Sequence, residues 1–153
     1  MFETPIDTLF LWIALGGVAV AVLGVVAGLP TTAPPNAAGT AATIDEVTTS
    51  PAGSVRRWST TGDEWRLDGR RLGLRNDGGT THARLSYPVV PAHGTGLRRV
   101  LAGQKPARVY ASPAGFRDAI RHARTDGDTW RSAPDRLTVR HVAWEGVDVT
   151  LVG

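Results

Sequence analysis

A long apolar segment, from Pro5 to Leu29, constrains the fold of this chain more than any other feature of its sequence. Residues 9–29 contain no charged or strongly polar side chain. A helix needs about 20 such residues to cross the hydrocarbon core of a membrane, where only a helix can satisfy its backbone within one segment. We therefore predict a single N-terminal transmembrane helix within residues 1–29. A cleaved signal peptide is the alternative, but the leader MFETPIDT carries no Lys or Arg and the apolar run is longer than such a peptide needs.

Small residues recur along the apolar segment at steps of three and four, which places them on one stripe of a helix. They are Ala14, Gly17, Ala21, Gly24 and Gly28. Small side chains let two helices approach closely in a membrane, and Gly24 and Gly28 form a GxxxG pair. The stripe predicts a helix-packing face for other membrane proteins. The alternative interpretation is that Ala, Gly and Val are frequent throughout this chain.

Residues 30–43, PTTAPPNAAGTAAT, carry no charge and consist mainly of Pro, Thr and Ala. This composition is typical of an extended linker that buries no core. We predict a flexible stalk at 30–43 that joins the anchor to a single domain at 44–153. No Lys or Arg lies between Leu29 and Arg56 to hold this flank in the cytoplasm. We therefore expect a single-pass protein of the cell membrane with an extracellular domain, a cytoplasmic domain being the alternative.

The region from residue 63 to 87 alternates apolar and polar side chains in three runs. Turn residues interrupt the runs at Asp68-Gly69 and at Asn76–Gly79. Alternation with such turns predicts a three-stranded antiparallel meander. A two-residue Asp-Gly turn would place Trp65 opposite Leu72.

The C-terminal residues predict a β-hairpin that turns at Glu145-Gly146. The apolar phase slips between Val139 and Val142, which predicts a bulge near His141. Shorter strands are predicted at Ile44–Val47 and Ala107–Tyr110.

Two short helices complete the predicted domain. Leu97, Val100 and Leu101 share one side of a helix at Thr95–Ala102. Ser112 and Pro113 favour the start of a second helix, whose apolar face repeats at the helical period through Phe116, Ala119, Ile120 and Ala123. The sequence therefore predicts an α+β fold: one small antiparallel sheet, made of the meander and the hairpin, with two short helices.

No constellation of reactive residues is apparent in this sequence. The chain has no cysteine, which removes thiolate zinc sites and cysteine nucleophiles. His82, His93, His122 and His141 occur singly, without a metal-binding or GxSxG motif nearby. We predict a non-enzymatic protein with no catalytic, cofactor-binding or metal-binding residues and no cofactor.

Three arginines, Arg117, Arg121 and Arg124, lie at i, i+4 and i+7 on the outer face of the second helix. All 17 basic residues of the chain follow the apolar segment, so its C-terminal part is basic. These arginines form a possible anion-binding face for an acidic partner or lipid headgroups. The alternative is a solvated helix face. No specific recognition of nucleic acid is expected, because no aromatic side chain lies among them for base stacking.

The sequence resembles an uncharacterised family of small single-pass membrane proteins of halophilic archaea, found with pilus-like or secretion machinery. The residues that carry this resemblance are Pro5, Asp7, Pro34, Pro35 and a C-terminal run through Trp130, Leu137, Val139, Trp144 and Leu151. The small-residue stripe and the absence of reactive groups favour a membrane-anchored, non-enzymatic accessory or structural subunit, and the resemblance implies that its assembly belongs to the cell envelope. The expected partners are membrane lipids and, through the anchor helix, other membrane proteins. The resemblance implies no catalytic residues.

Overall fold

The computed structural model describes residues 12–21 and 32–153, and the chain divides into two compact units, Met1–Thr32 and Ala33–Gly153. In the first unit, residues 12–21 are helical (α1) and their side chains are exposed. The rest of the predicted transmembrane helix, including Gly24 and Gly28, lies outside the described residues. Over the residues described, no helix is long and apolar enough to span a lipid bilayer.

The second unit combines two four-stranded sheets with four helices, which confirms the α+β prediction. The helices are α2 (Ala37–Thr49), α3 (Gly94–Leu101), α4 (Pro106–Val109) and α5 (Pro113–Thr125), the last followed by a 3-10 turn at Asp126–Asp128. The strands are β1 (Val55–Ser59), β2 (Glu64–Asp68), β3 (Arg71–Asn76), β4 (Gly79–Arg84), β5 (Val90–Pro91), β6 (Arg131–Ser132), β7 (Arg136–Trp144) and β8 (Val147–Val152).

The predicted meander and the predicted C-terminal hairpin belong to different sheets, so the prediction of one sheet is wrong. The meander sheet has the order β4-β3-β2-β6, and the central sheet has the order β1-β7-β8-β5. All pairings are antiparallel except β5 with β8. The edge strands β1 and β6 pair with strands far along the chain, so no local sequence signal indicates where they belong.

The central sheet is buried on both faces. On one face, Leu137 and Val139 pack in a core with α2 and the inner side of the meander sheet. On the other face, Val142 and Val149 pack in a second core with α3 and α5. The two faces explain the phase slip in β7 without a bulge. The predicted bulge near His141 is wrong, because β7 pairs with β8 without interruption.

The meander has the predicted strands but a different register. Trp65 pairs with Leu74, not with Leu72, which pairs with Leu67. The shift arises because the two loop residues are Gly69 and Arg70, with Gly69 at φ +50°, a conformation that favours glycine. A shift of two residues keeps side chains on the same face. The apolar side chains of β2 and β3 therefore still share one face and are buried there.

Helix α2 occupies residues that the sequence analysis assigned to a stalk and a strand. Residues 37–43 form its first turns, and Ile44–Val47, predicted as a strand, lies in its second half. The Asn36 side chain caps the helix by accepting a hydrogen bond from the Gly39 amide at 2.8 Å. Ala37, Ala41 and Ile44 recur at the helical period and are buried. The small size of Ala37 and Ala41 hid this apolar stripe from a prediction based on composition.

The strand predicted at Ala107–Tyr110 is also wrong, because the chain forms the single helical turn α4 there. Pro106 occupies the start of the turn, where its missing amide is not needed, and its carbonyl accepts a hydrogen bond from the Tyr110 amide at 2.8 Å. The two predicted helices are confirmed as α3 and α5.

Candidate functional site

A groove lies between the outer face of α5 and the hairpin strand β8, and we call it the α5 groove. Its volume is about 560 Å³. The helix contributes Arg117, Arg121 and Arg124 to its wall, and Gly146–Val149 form the opposite side. The three arginines that the sequence predicted as an anion-binding face therefore share one concave surface. The contribution of the hairpin was missed, because it lies far from α5 in the sequence.

The arginines point into the groove because of how α5 is fixed to the core. The Ser112 hydroxyl caps the helix by accepting a hydrogen bond from the Gly115 amide at 3.2 Å. Phe116 and Ile120 are buried on its inner face. Each arginine directly follows a buried residue, so at 3.6 residues per turn the three lie about 100° round the helix from the buried face, where they are exposed.

The charges of the α5 groove are not balanced. Arg121 forms an ion pair with Asp118, three residues earlier on the helix. In the described part of the chain, neither Arg117 nor Arg124 forms an ion pair. Asp148 lines the groove, but its carboxylate binds His141. The groove therefore presents two guanidinium groups with no acidic partner among these residues.

His141 is buried beside the groove and contacts an acceptor through each ring nitrogen. Its Nε2 atom lies 2.6 Å from an Asp148 carboxylate oxygen, and its Nδ1 atom lies 2.6 Å from the Ser50 carbonyl oxygen. Burial by itself lowers the pKa of His141, but the two hydrogen bonds and the Asp148 charge outweigh burial and raise the pKa above its ordinary value of 6.5. Two acceptors suit an imidazolium, which donates from both nitrogens.

The raised pKa of His141 predicts a pH-dependent stability. Because the folded pKa exceeds the unfolded one, the contribution of His141 is complete below the unfolded value and is lost as the pH rises through the folded value. The free energy of unfolding should therefore fall as the pH rises from the unfolded pKa of His141 through its folded pKa. His141→Gln should flatten this fall. His122→Gln, on the exposed side of α5, is the matched control. A fall that His141→Gln leaves unchanged would contradict the assignment.

The four histidines have separate surroundings. The ring of His82 packs edge-on against Trp130, and that of His93 packs against Trp65. His122 contacts the Asp118 carbonyl on α5. Within residues 12–21 and 32–153, no three His, Asp or Glu side chains are grouped so that they could hold a metal ion.

A second pocket, which the sequence analysis did not predict, brings His93, Arg98 and Arg131 together beside Trp65. Arg98 lines this pocket and not the α5 groove. Helix α3 supplies Arg98 and strand β6 supplies Arg131. Helical spacing reveals only residues on one element, so it could not indicate a pocket assembled from several.

Only part of the predicted helix-packing stripe lies within the residues that the structure describes. Ala14, Gly17 and Ala21 lie in the helical residues 12–21 at helical spacing. A Cβ atom added at Gly17 would meet no described atom within 4 Å. Gly24 and Gly28 lie outside the described residues, so the stripe remains a prediction.

The chain belongs to DUF7283, a family of unknown function, whose match extends over residues 3–142. This agrees with the expectation of an uncharacterised family. No curated protein and no solved structure matches the chain.

Proposed function

We propose that the Ala33–Gly153 unit is a non-enzymatic binding module that holds an anionic partner in the α5 groove. The observation that carries this proposal is the convergence of Arg117, Arg121 and Arg124 on one concave surface. Two of the three have no acidic partner among the described residues. A guanidinium group binds carboxylate or phosphate with two parallel hydrogen bonds, so the groove is suited to a surface that carries these groups.

The opposite wall of the groove favours an acidic protein segment as the partner. Strand β8 pairs with β5 only at Leu151 and Val152. Between β7 and β8, Thr138 and Gly153 form a hydrogen-bonded pair, in which each backbone amide donates to the other residue's carbonyl. Because these pairs alternate along antiparallel strands, the backbone of Asp148 points away from β7 toward the unpaired edge. An extended segment can add to such an edge through main-chain hydrogen bonds, with its acidic side chains near the arginines.

Removing the groove arginines should abolish most of the binding. The triple variant Arg117→Ser, Arg121→Ser, Arg124→Ser in the full chain should bind fluorescent poly-glutamate about tenfold more weakly or worse, since a single charge-assisted hydrogen bond contributes about 1.5 kcal/mol. Binding by the native chain should also weaken with added salt. Fluorescence anisotropy in a neutral detergent measures both effects.

A control variant with the same net charge separates the groove from general attraction to a basic protein. Arg57→Ser, Arg71→Ser and Arg136→Ser remove three exposed arginines that do not line the groove. This control should bind poly-glutamate almost as the native chain does. Equal losses in the two triple variants would contradict the assignment of the site.

A second candidate function is that of a membrane-anchored accessory or structural subunit of a cell-envelope assembly, pilus-like or secretion-like, in a halophilic archaeon. It is favoured by the uncharged residues 9–29 and by the exposure of large apolar side chains, among them Trp12, Ile13 and Val20. Exposed contiguous apolar surface is typical of a segment with a lipid or protein partner. On this proposal the stripe packs against another membrane helix, and the Ala33–Gly153 unit is extracellular.

Filling the stripe should weaken association between helices. Gly24→Leu with Gly28→Leu is expected to reduce the signal of a membrane two-hybrid assay, because bulky side chains prevent close approach of the backbones. Ala19→Leu with Val26→Leu is the control, since these positions lie on the opposite side of a helix. An unchanged signal in the glycine variant would exclude the stripe as the contact.

Protease added to intact cells should cleave the Ala33–Gly153 unit if it is extracellular. A unit that is protected from protease until the cells are lysed would be cytoplasmic.

A further inference from the structure

The pocket beside α3, which we call the α3 pocket, combines an apolar wall with a cationic one. Its volume is about 420 Å³, within the range of pockets that bind small molecules. The apolar wall includes Trp65, Ala92 and Leu101, all of them buried core residues. The cationic wall consists of Arg98 and Arg131 with His93. The pocket is therefore matched to a molecule that is apolar at one end and anionic at the other.

The positive charge of the cationic wall is little offset by acidic groups of the protein. Over the described residues, neither Arg98 nor Arg131 forms an ion pair. Arg131 donates a hydrogen bond to the Asp126 backbone carbonyl at 3.3 Å, which leaves other guanidinium donors available. Burial lowers the pKa of His93, and the charges of Arg131 and Arg98 lower it further, against a smaller opposing effect of Asp126. The imidazole thus lies in the positive field of both arginines.

We propose that the α3 pocket binds a small organic carboxylate, with its carboxylate between Arg98 and Arg131 and its apolar group against Trp65 and Leu101. A guanidinium pair of this kind binds a carboxylate at fixed orientation. The desolvated apolar wall adds affinity in proportion to the area that the ligand buries. His93 lies beside the bound carboxylate, so binding of the anion favours protonation of the His93 ring. This site is separate from the α5 groove and does not depend on that groove's function.

Benzoate is a suitable probe, because it joins one carboxylate to one flat apolar ring. Titration of the native full chain by calorimetry should show one benzoate per chain. Arg98→Gln and Arg131→Gln should each weaken binding about tenfold, the loss of roughly one charge-assisted hydrogen bond. Both arginines are exposed, so these variants should fold normally. Arg117→Gln in the α5 groove is the matched control and should bind benzoate as the native chain does.

Two further probes test the two halves of the proposal. Benzamide keeps the ring but lacks the charge, and inorganic phosphate keeps the charge but lacks the ring. Both should bind more weakly than benzoate. An NMR titration of the His93 ring should show that saturating benzoate raises its pKa, since a bound anion offsets the field of Arg98 and Arg131.

The proposal is overturned if benzoate does not bind, if benzamide or phosphate binds as well as benzoate, or if Arg98→Gln and Arg131→Gln leave the affinity unchanged. It is also overturned if benzoate binds without moving the pKa of His93. Loss of binding in Arg117→Gln alone would assign benzoate to the α5 groove and not to this pocket.

Discussion

Replacing Phe116 with alanine is expected to lower the free energy of unfolding by about 3–5 kcal/mol, the usual cost of removing a large buried aromatic side chain. Phe116 is fully buried in the core between α5 and the central sheet. Its ring centroid lies 5.2 Å from that of Tyr110 and 6.0 Å from that of Trp144. Truncation would leave a cavity bounded by α4, α5 and β7, which these rings cannot fill without leaving their own contacts.

Urea unfolding of the full chain in detergent, followed by near-ultraviolet circular dichroism, measures this loss. Arg117→Ala, at the next position of α5 but exposed, is the control and should change the free energy of unfolding by less than about 0.5 kcal/mol. A Phe116→Ala loss below that of an ordinary surface change would mean that α5 does not depend on this core. Phe116→Ala should also weaken poly-glutamate binding, because the α5 groove requires a fixed helix.

Local signals predicted the parts of the fold in which one element carries its own information. Turn residues at Asn76–Gly79 and Glu145-Gly146 marked two reversals, and the structure pairs Asn76 with Gly79 and Trp144 with Val147 across them. In the second reversal, Glu145 and Gly146 both have positive φ, the geometry of a tight hairpin turn. The cap at Ser112 and the apolar spacing of α5 likewise lie within a few residues of each other.

The errors arose where distant residues decide the outcome. Strands β1 and β6 form only by pairing with β7 and β2. The slip in β7 was interpreted as a bulge, because a strand buried on both faces has no single apolar phase. Both candidate sites show the same limit. The arginines of α5 were predicted from helical spacing, whereas the β8 wall and the α3 pocket depend on contacts between elements that the sequence does not place together.

The most informative error concerns residues 37–49, and Ile44→Ala tests it. The sequence analysis placed Ile44 in a short strand that begins directly after a flexible stalk at residues 30–43. In the structure Ile44 is fully buried between α2 and the two sheets. We therefore expect Ile44→Ala to lower the free energy of unfolding by about 2–5 kcal/mol, as for other buried aliphatic truncations.

Ala42→Gln provides the control for Ile44→Ala, because Ala42 is exposed on the same helix and glutamine is a good helix former. Its effect should stay within about 0.5 kcal/mol. Asn36→Ala should fall between the two, at about 1 kcal/mol, since it removes the side-chain cap of α2. This order follows from a capped helix whose inner face completes the core. Three small and equal effects would contradict it and would remove α2 from the folded unit.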